Sequence, residues 1–207
     1  MEIQNDTYKT LSQASPEALF KDRNSKFYGY AFPVSSEDEI KKHLEELRKM
    51  HHSARHWCYA YQLGAQEKQR VFRANDDGEP NNSAGMPIYG QIQSFDLTNV
   101  LVIVVRYFGG VKLGVGGLIN AYRTAAQMTL DDGIIIEKTI NVNYRIKFDY
   151  KNMNKVMRII KEKQLTVVSQ TLELDCELII SVRLTIANQI FEIFDALYEV
   201  QIKEFND

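Results

Sequence analysis

Little in this chain is extreme, and each thing it lacks narrows the reading. Only two cysteines occur in 207 residues, Cys58 and Cys176, which excludes a disulfide framework and leaves a hydrophobic core to hold the fold. The apolar run Leu101–Val105 is far too short to span a bilayer. The first residues, Met1–Thr7, have neither the basic region nor the apolar region of a secretory leader, so a cytoplasmic location is expected. A net charge of −2 excludes a uniformly basic nucleic-acid binder while leaving room for a local patch. Neither internal repeats nor low-complexity stretches occur. What is present is a hydrophobic fraction of 44% with 25% charged residues, ordinary for a soluble globular protein, in a chain long enough for two modest domains.

The most specific stretch runs from Leu101 through Phe108 into Gly109, Gly110, Lys112, Gly114, Gly116 and Gly117, a strand entering a glycine-rich turn that leads into a helix from Leu118. Five glycines between 109 and 117 are entropically costly, so the turn needs positive φ angles or a bare backbone that something approaches closely. It is not a Walker loop, because neither Gly109 nor Gly110 starts a register ending in Lys-Ser or Lys-Thr. Nor is it a dinucleotide fingerprint, since after Gly114 and Gly116 the third glycine position of Gly-x-Gly-x-x-Gly is Ile119, followed by Asn120. Two readings stay open: a tight turn packed under a neighbouring strand, or an anion held at the helix start beside Lys112 and Arg106.

Periodicity divides the chain near Thr139 into domains of residues 1–138 and 139–207. In the second, Val142, Tyr144, Ile146, Phe148 and Tyr150 alternate with polar residues as a half-buried strand does. Met153, Val156, Met157 and Ile160 then share a helical face opposite Lys151, Lys155 and Arg158. Strands over Leu165–Leu174 and Cys176–Ile186, a helix through Ile190–Leu197 and a strand over Val200–Phe205 complete a βαββαβ order, the ferredoxin-like pattern. The first domain reads as α/β: strands over Tyr8–Leu11, Ser25–Val34, Arg55–Leu63, Val71–Ala74 and Ile134–Ile136, and helices over Glu37–Met50, Ser83–Phe95 and Leu118–Leu130. Ser35 or Ser36 caps the first helix.

Four constellations are candidates for chemistry. Asp76, Asp77 and Glu79, on a Gly/Pro loop, are the residue types that hold a hard cation or act as a general base, and equally those of a soluble turn. His56 and Cys58 project from one face of a strand, as a base and nucleophile or as a buried Cys beside a hydrogen-bonded His. Trp57, Tyr59 and Tyr61 on its other face stack bases or fill a core. The segment from Arg145 to Lys163 carries seven basic residues against Asp149 and Glu162, a phosphate-attracting stripe or a solvated face.

Ser25-Lys26-Phe27, Arg55-His56-x-Cys58, Asp76-Asp77-Gly78-Glu79-Pro80, Ala84-Gly85-x-Pro87, and Val104–Gly110 followed by Lys112-Leu113-Gly114-x-Gly116-Gly117-Leu118-x-x-Ala121-Tyr122 resemble the motifs of the IMPACT family, in the family's order. The resemblance is to the family's bacterial two-domain members. It implies an N-terminal fold like domain IV of elongation factor G and a C-terminal domain like domain V of that factor. Eukaryotic members are linked to regulation of translation during amino-acid starvation, through a translation-initiation kinase, and carry a further N-terminal domain for which this chain has no room. The chain departs from the family at Asn81-Asn82, where a small residue and Gly are usual, and at Arg123-Thr124, where Gly-Gly is usual. The second change places a cation near the glycine turn, where it favours an anion or blocks close approach.

The expectation is a translation-associated regulatory protein that binds RNA, the ribosome or a translation factor. Arg106, Lys112, Arg123, Lys151, Lys155 and Arg158 supply charge, and Gly109, Gly110, Gly114, Gly116 and Gly117 supply backbone. The alternative is an enzyme acting on a small molecule or phosphate ester, with Asp76, Asp77, Glu79 and His56 as catalytic candidates. No cofactor or metal is assigned.

Overall fold

The computed structural model describes residues 6–205; the reading made on Met1–Thr7 falls mostly outside them. Two compact units form, one from Tyr8 to Lys138 and one from Thr139 onward that also takes in Asp6 and Thr7. Asp6 is held there by its carbonyl, which accepts from Ile140 N at 2.6 Å, and by its carboxylate, which accepts from Arg183 and from the Thr185 hydroxyl at 2.8 Å. Among the described residues no helix is long and apolar enough to cross a membrane.

The first unit contains β1 (Thr7–Leu11), β2 (Ala18–Asp22), β3 (Ser25–Pro33), α1 (Glu37–Met50), β4 (His56–Leu63), β5 (Val71–Asn75), α2 (Gly85–Ser94), β6 (Val100–Tyr107), α3 (Gly114–Asp131) and β7 (Ile135–Thr139). β1 pairs with β7, and the other five make an antiparallel sheet in the order β2-β3-β6-β4-β5. Central β6 is apolar on both sides because both faces are covered. Val100, Val102 and Val104 pack toward α2 and α3, while Leu101, Ile103 and Val105 pack into a second core with Ile40 and Leu47 of α1. Ser36 caps α1 by accepting from Glu39 N at 3.3 Å. Pro87 sits in the first turn of α2, where its missing N–H has no helical partner to lose.

Three local expectations change. Strand β2 is an addition to the expected elements; it is joined to β3 by Arg23 and Asn24 alone, both at positive φ (42° and 64°), a type I′ hairpin without the usual glycine. Helix α3 begins at Gly114 rather than Leu118, so Gly114, Gly116 and Gly117 are helical despite their poor propensity. Trp57, Tyr59 and Tyr61 form no exposed stacking platform, because α1 covers their face and Tyr59 and Tyr61 are buried in its core.

The second unit contains β8 (Asn141–Asp149), α4 (Met153–Glu162), β9 (Thr166–Leu172), β10 (Asp175–Arg183), α5 (Leu184–Asp195) and β11 (Val200–Glu204). Its antiparallel sheet has the order β11-β8-β10-β9, the ferredoxin-like arrangement. β10 ends at Arg183, not Ile186: Val182 and Leu184 fit an alternating pattern, but Ala187, Ile190 and Phe194 bury one helical face that starts at Leu184.

A buried polar relay ties α1 to the sheet. The Tyr30 hydroxyl donates to Glu17 and therefore accepts from His51 Nε2 at 2.6 Å, and His51 Nδ1 accepts from the Tyr107 hydroxyl at 3.0 Å. Burial holds the His51 pKa below the ordinary 6.5, opposed only by the charge of Glu17. As pH falls the unfolded chain therefore takes up this proton first, and stability is lost from about pH 6.5 downward. The expected result is that the difference in urea unfolding midpoint between wild type and His51→Gln narrows between about pH 7.5 and pH 5.5.

Candidate functional site

Strand register gathers the motif residues. Arg106 of β6 stands opposite both His56 of β4 and Phe27 of β3, and Cys58 stands opposite Val104. Because side chains alternate across a strand, all five face α2 and α3. The loop after β5 closes over them.

Each acid of that loop already has partners. The Asp76 carboxylate accepts from Ala84 N (3.0 Å) and Gly85 N (2.8 Å), capping α2 from outside, and from Asn82 N at 2.8 Å. Asp77 accepts from Trp57 N at 2.7 Å and pairs with Arg48 at 3.3 Å. Glu79, 9% exposed, accepts from Arg106 at 2.6 Å and from the Tyr122 hydroxyl at 2.8 Å. Cys58 donates to the Asp76 carbonyl at 3.0 Å and lies 3.3 Å from the Tyr122 hydroxyl. His56 Nδ1 donates to the Asp77 carbonyl at 2.8 Å.

This arrangement braces a loop. Burial pushes the Cys58 thiol far above its ordinary value, aided by the carboxylates of Glu79, Asp77 and Asp76, so it stays protonated. The Tyr122 hydroxyl is raised by the same burial. His56 and Cys58 bond different carbonyls, and among the described residues no hydrogen bond joins them as base and nucleophile. Among those residues no three His, Cys, Asp or Glu side chains converge as metal ligands.

The anion-binding candidates separate into three groups. Arg106 is not a surface cation: it is 6% exposed, its charge is met by Glu79, and its guanidinium lies 5.6 Å from the Phe27 ring. The C-terminal cations are not free either. Lys151 pairs with Asp149 (3.0 Å), Lys155 with Glu199 (3.3 Å) and Arg158 with Glu162 (3.7 Å), while Arg145 and Lys147, on β8, share Glu177. Lys112 and Arg123, by contrast, are exposed and form no ion pair among the described residues.

The glycines differ as sharply. A Cβ on Gly109 would lie 2.1 Å from the Asn24 carbonyl carbon and 2.3 Å from Ser25 N, so this glycine lets the turn pack on the β2–β3 hairpin. Gly110 and Gly114 adopt φ of +86° and +73°, which a side chain would strain. A Cβ on Gly117 would approach that of Leu113 at 3.0 Å. Among these five glycines Gly116 alone has an ordinary φ and open space around its missing Cβ, a condition it shares with Gly90 of α2. It begins an exposed face of α3 that continues through Asn120, Arg123 and Gln127. The roles of Tyr122 and of Asp76 as an outside cap were missed from sequence; Tyr122 follows Leu118 by one helical turn on the apolar face, the signal that would have placed it inside.

Residues 23–130 match the family model described as the Impact N-terminal domain. The chain belongs to the IMPACT family. It is 32% identical to IMPACT family member YvyE of Bacillus subtilis (strain 168) over 158 residues, 76% of this chain and 71% of that one. It is 30% identical to IMPACT family member YigZ of Escherichia coli (strain K12) over 144 residues, 69% of this chain and 71% of that one. A crystal structure of a hypothetical protein superposes with a TM-score of 0.74 at 21% identity, covering 98% of this chain and 99% of that chain, which supports the two-domain fold. Within the IMPACT motifs, Arg106, Glu79 and Tyr122 form the buried brace and Lys112 and Gly116 the exposed turn.

Proposed function

We propose that this IMPACT-family protein is a cytoplasmic translation-associated regulator that binds RNA on the ribosome through the tip of its N-terminal unit. The observation that carries the reading is Gly116. Neither backbone conformation nor packing requires glycine there, and glycine weakens a helix, so a bare backbone at that point suits close approach from outside. Lys112 and Arg123 lie before and after it in the chain as exposed cations that form no ion pair among the described residues. Phe108, Val111 and Val115 leave apolar surface exposed at the same tip, at 50%, 46% and 53%. Unpaired cations, accessible backbone and an exposed aromatic ring form the combination that contacts phosphates and unstacked bases.

The small-molecule enzyme reading draws less support, since Asp76, Asp77 and Glu79 are each occupied by hydrogen bonds and Cys58 is held as a thiol.

Co-sedimentation with ribosomes and RNA across a salt series tests the proposal. Binding is expected to weaken steeply with salt, and Lys112→Glu with Arg123→Glu to lower affinity on the order of tenfold or more at fixed salt. Changing Lys151, Lys155 and Arg158 to Glu is expected to do less. No binding at low salt, or binding indifferent to Lys112 and Arg123, would overturn the reading.

A further inference from the structure

We infer that the chain self-associates by pairing β9 with β9 of a second copy about a twofold axis. β9 is an edge strand of the C-terminal sheet. Its sequence, Thr-Val-Val-Ser-Gln-Thr-Leu, contains neither charge nor proline over seven residues, the composition that leaves a sheet edge open to pairing. The opposite edge, β11, carries Lys203 and Glu204 within five residues.

Exposure agrees. Val168 is 58% exposed and Leu172 44%, with Leu174 just beyond at 88%. Val168 is skipped by the ladder to β10, which runs from Val167 to Ser169 across a bulge, and so has no cross-strand partner in its own chain.

Charge selects the occupant and its direction. Exposed Lys161 and Lys163 precede β9, with Glu162 between them paired to Arg158, and exposed Glu173 and Asp175 follow it. Antiparallel pairing of two copies sets the basic flank of each against the acidic flank of the other, whereas parallel pairing sets like on like. With the axis near Gln170, Val168 of each copy faces Leu172 of the other. The bulge limits the regular ladder to Ser169–Leu172, so the contact is small and the dimer dissociates on dilution.

Sedimentation velocity of the full chain, from about 1 to 200 µM, reads the equilibrium directly. The expected result is a concentration-dependent dimer that Val168→Lys abolishes with the thermal unfolding curve unchanged. Lys163→Glu, which reverses the charge of the basic flank, weakens it. A monomer at every concentration, or a dimer that survives both Val168→Lys and Leu172→Lys, would overturn the inference.

Discussion

Replacing Glu79 with alanine is expected to destabilise the N-terminal unit by about 3–5 kcal/mol, because it strands a buried guanidinium. Arg106 is almost fully enclosed and has one carboxylate partner, at 2.6 Å. The Tyr122 hydroxyl loses its acceptor at the same stroke. Arg106→Ala should be comparably damaging through the stranded carboxylate. Replacing both, as Glu79→Leu with Arg106→Met, removes the desolvated charges together and should recover most of the loss. Chemical denaturation of the three variants reads this. Equal damage from the single and double replacements would mean that packing of the loop, not charge pairing, dominates.

The second large effect separates two glycines seven residues apart. Gly109→Ala drives a methyl group into the backbone of Asn24 and Ser25, atoms with no rotamer to yield, and is expected to cost at least the upper end of the roughly 1–3 kcal/mol seen on overpacking. Gly116→Ala meets nothing and should instead stabilise the fold by about 0.4–1 kcal/mol, as the unfolded chain loses freedom. Thermal and urea unfolding of both variants checks the opposite signs. A destabilised Gly116→Ala protein would place an internal demand on that glycine and remove the argument for an external one.

Sequence legibility followed how local the determining interaction is. The alternation from Val142 to Phe148 and the face shared by Val156 and Ile160 are set by burial against one core, so the ferredoxin-like unit could be read directly. The start of α3 could not, because glycines carry almost no helical signal and Gly114 enters the helix at positive φ. The Arg23-Asn24 turn was hidden because Arg23 rarely adopts positive φ and no glycine follows Asn24, so the Asn-Gly or Asp-Gly signature of such hairpins is missing. At the candidate site, the motifs contain His56, Cys58, Asp76, Asp77, Glu79 and Arg106, which the structure brings together. Their partners lie far along the chain: Arg106 meets Glu79 across 27 positions and Tyr122 donates to it across 43, as in the second unit Glu199 meets Lys155 across 44. A count of charges along Arg145–Lys163 therefore overstated the free positive charge, while Lys112 and Arg123, exposed and in no ion pair among the described residues, were only two residues in a longer set of candidates.

The most direct test of the central claim is ribosome co-sedimentation of wild type and Gly116→Ala at low and physiological salt, with the stability of each measured alongside. The account predicts salt-sensitive binding by the wild type and weakened binding by a Gly116→Ala protein that is at least as stable. Unchanged binding by that variant would contradict it, because nothing outside the chain would then be using the bare backbone at residue 116.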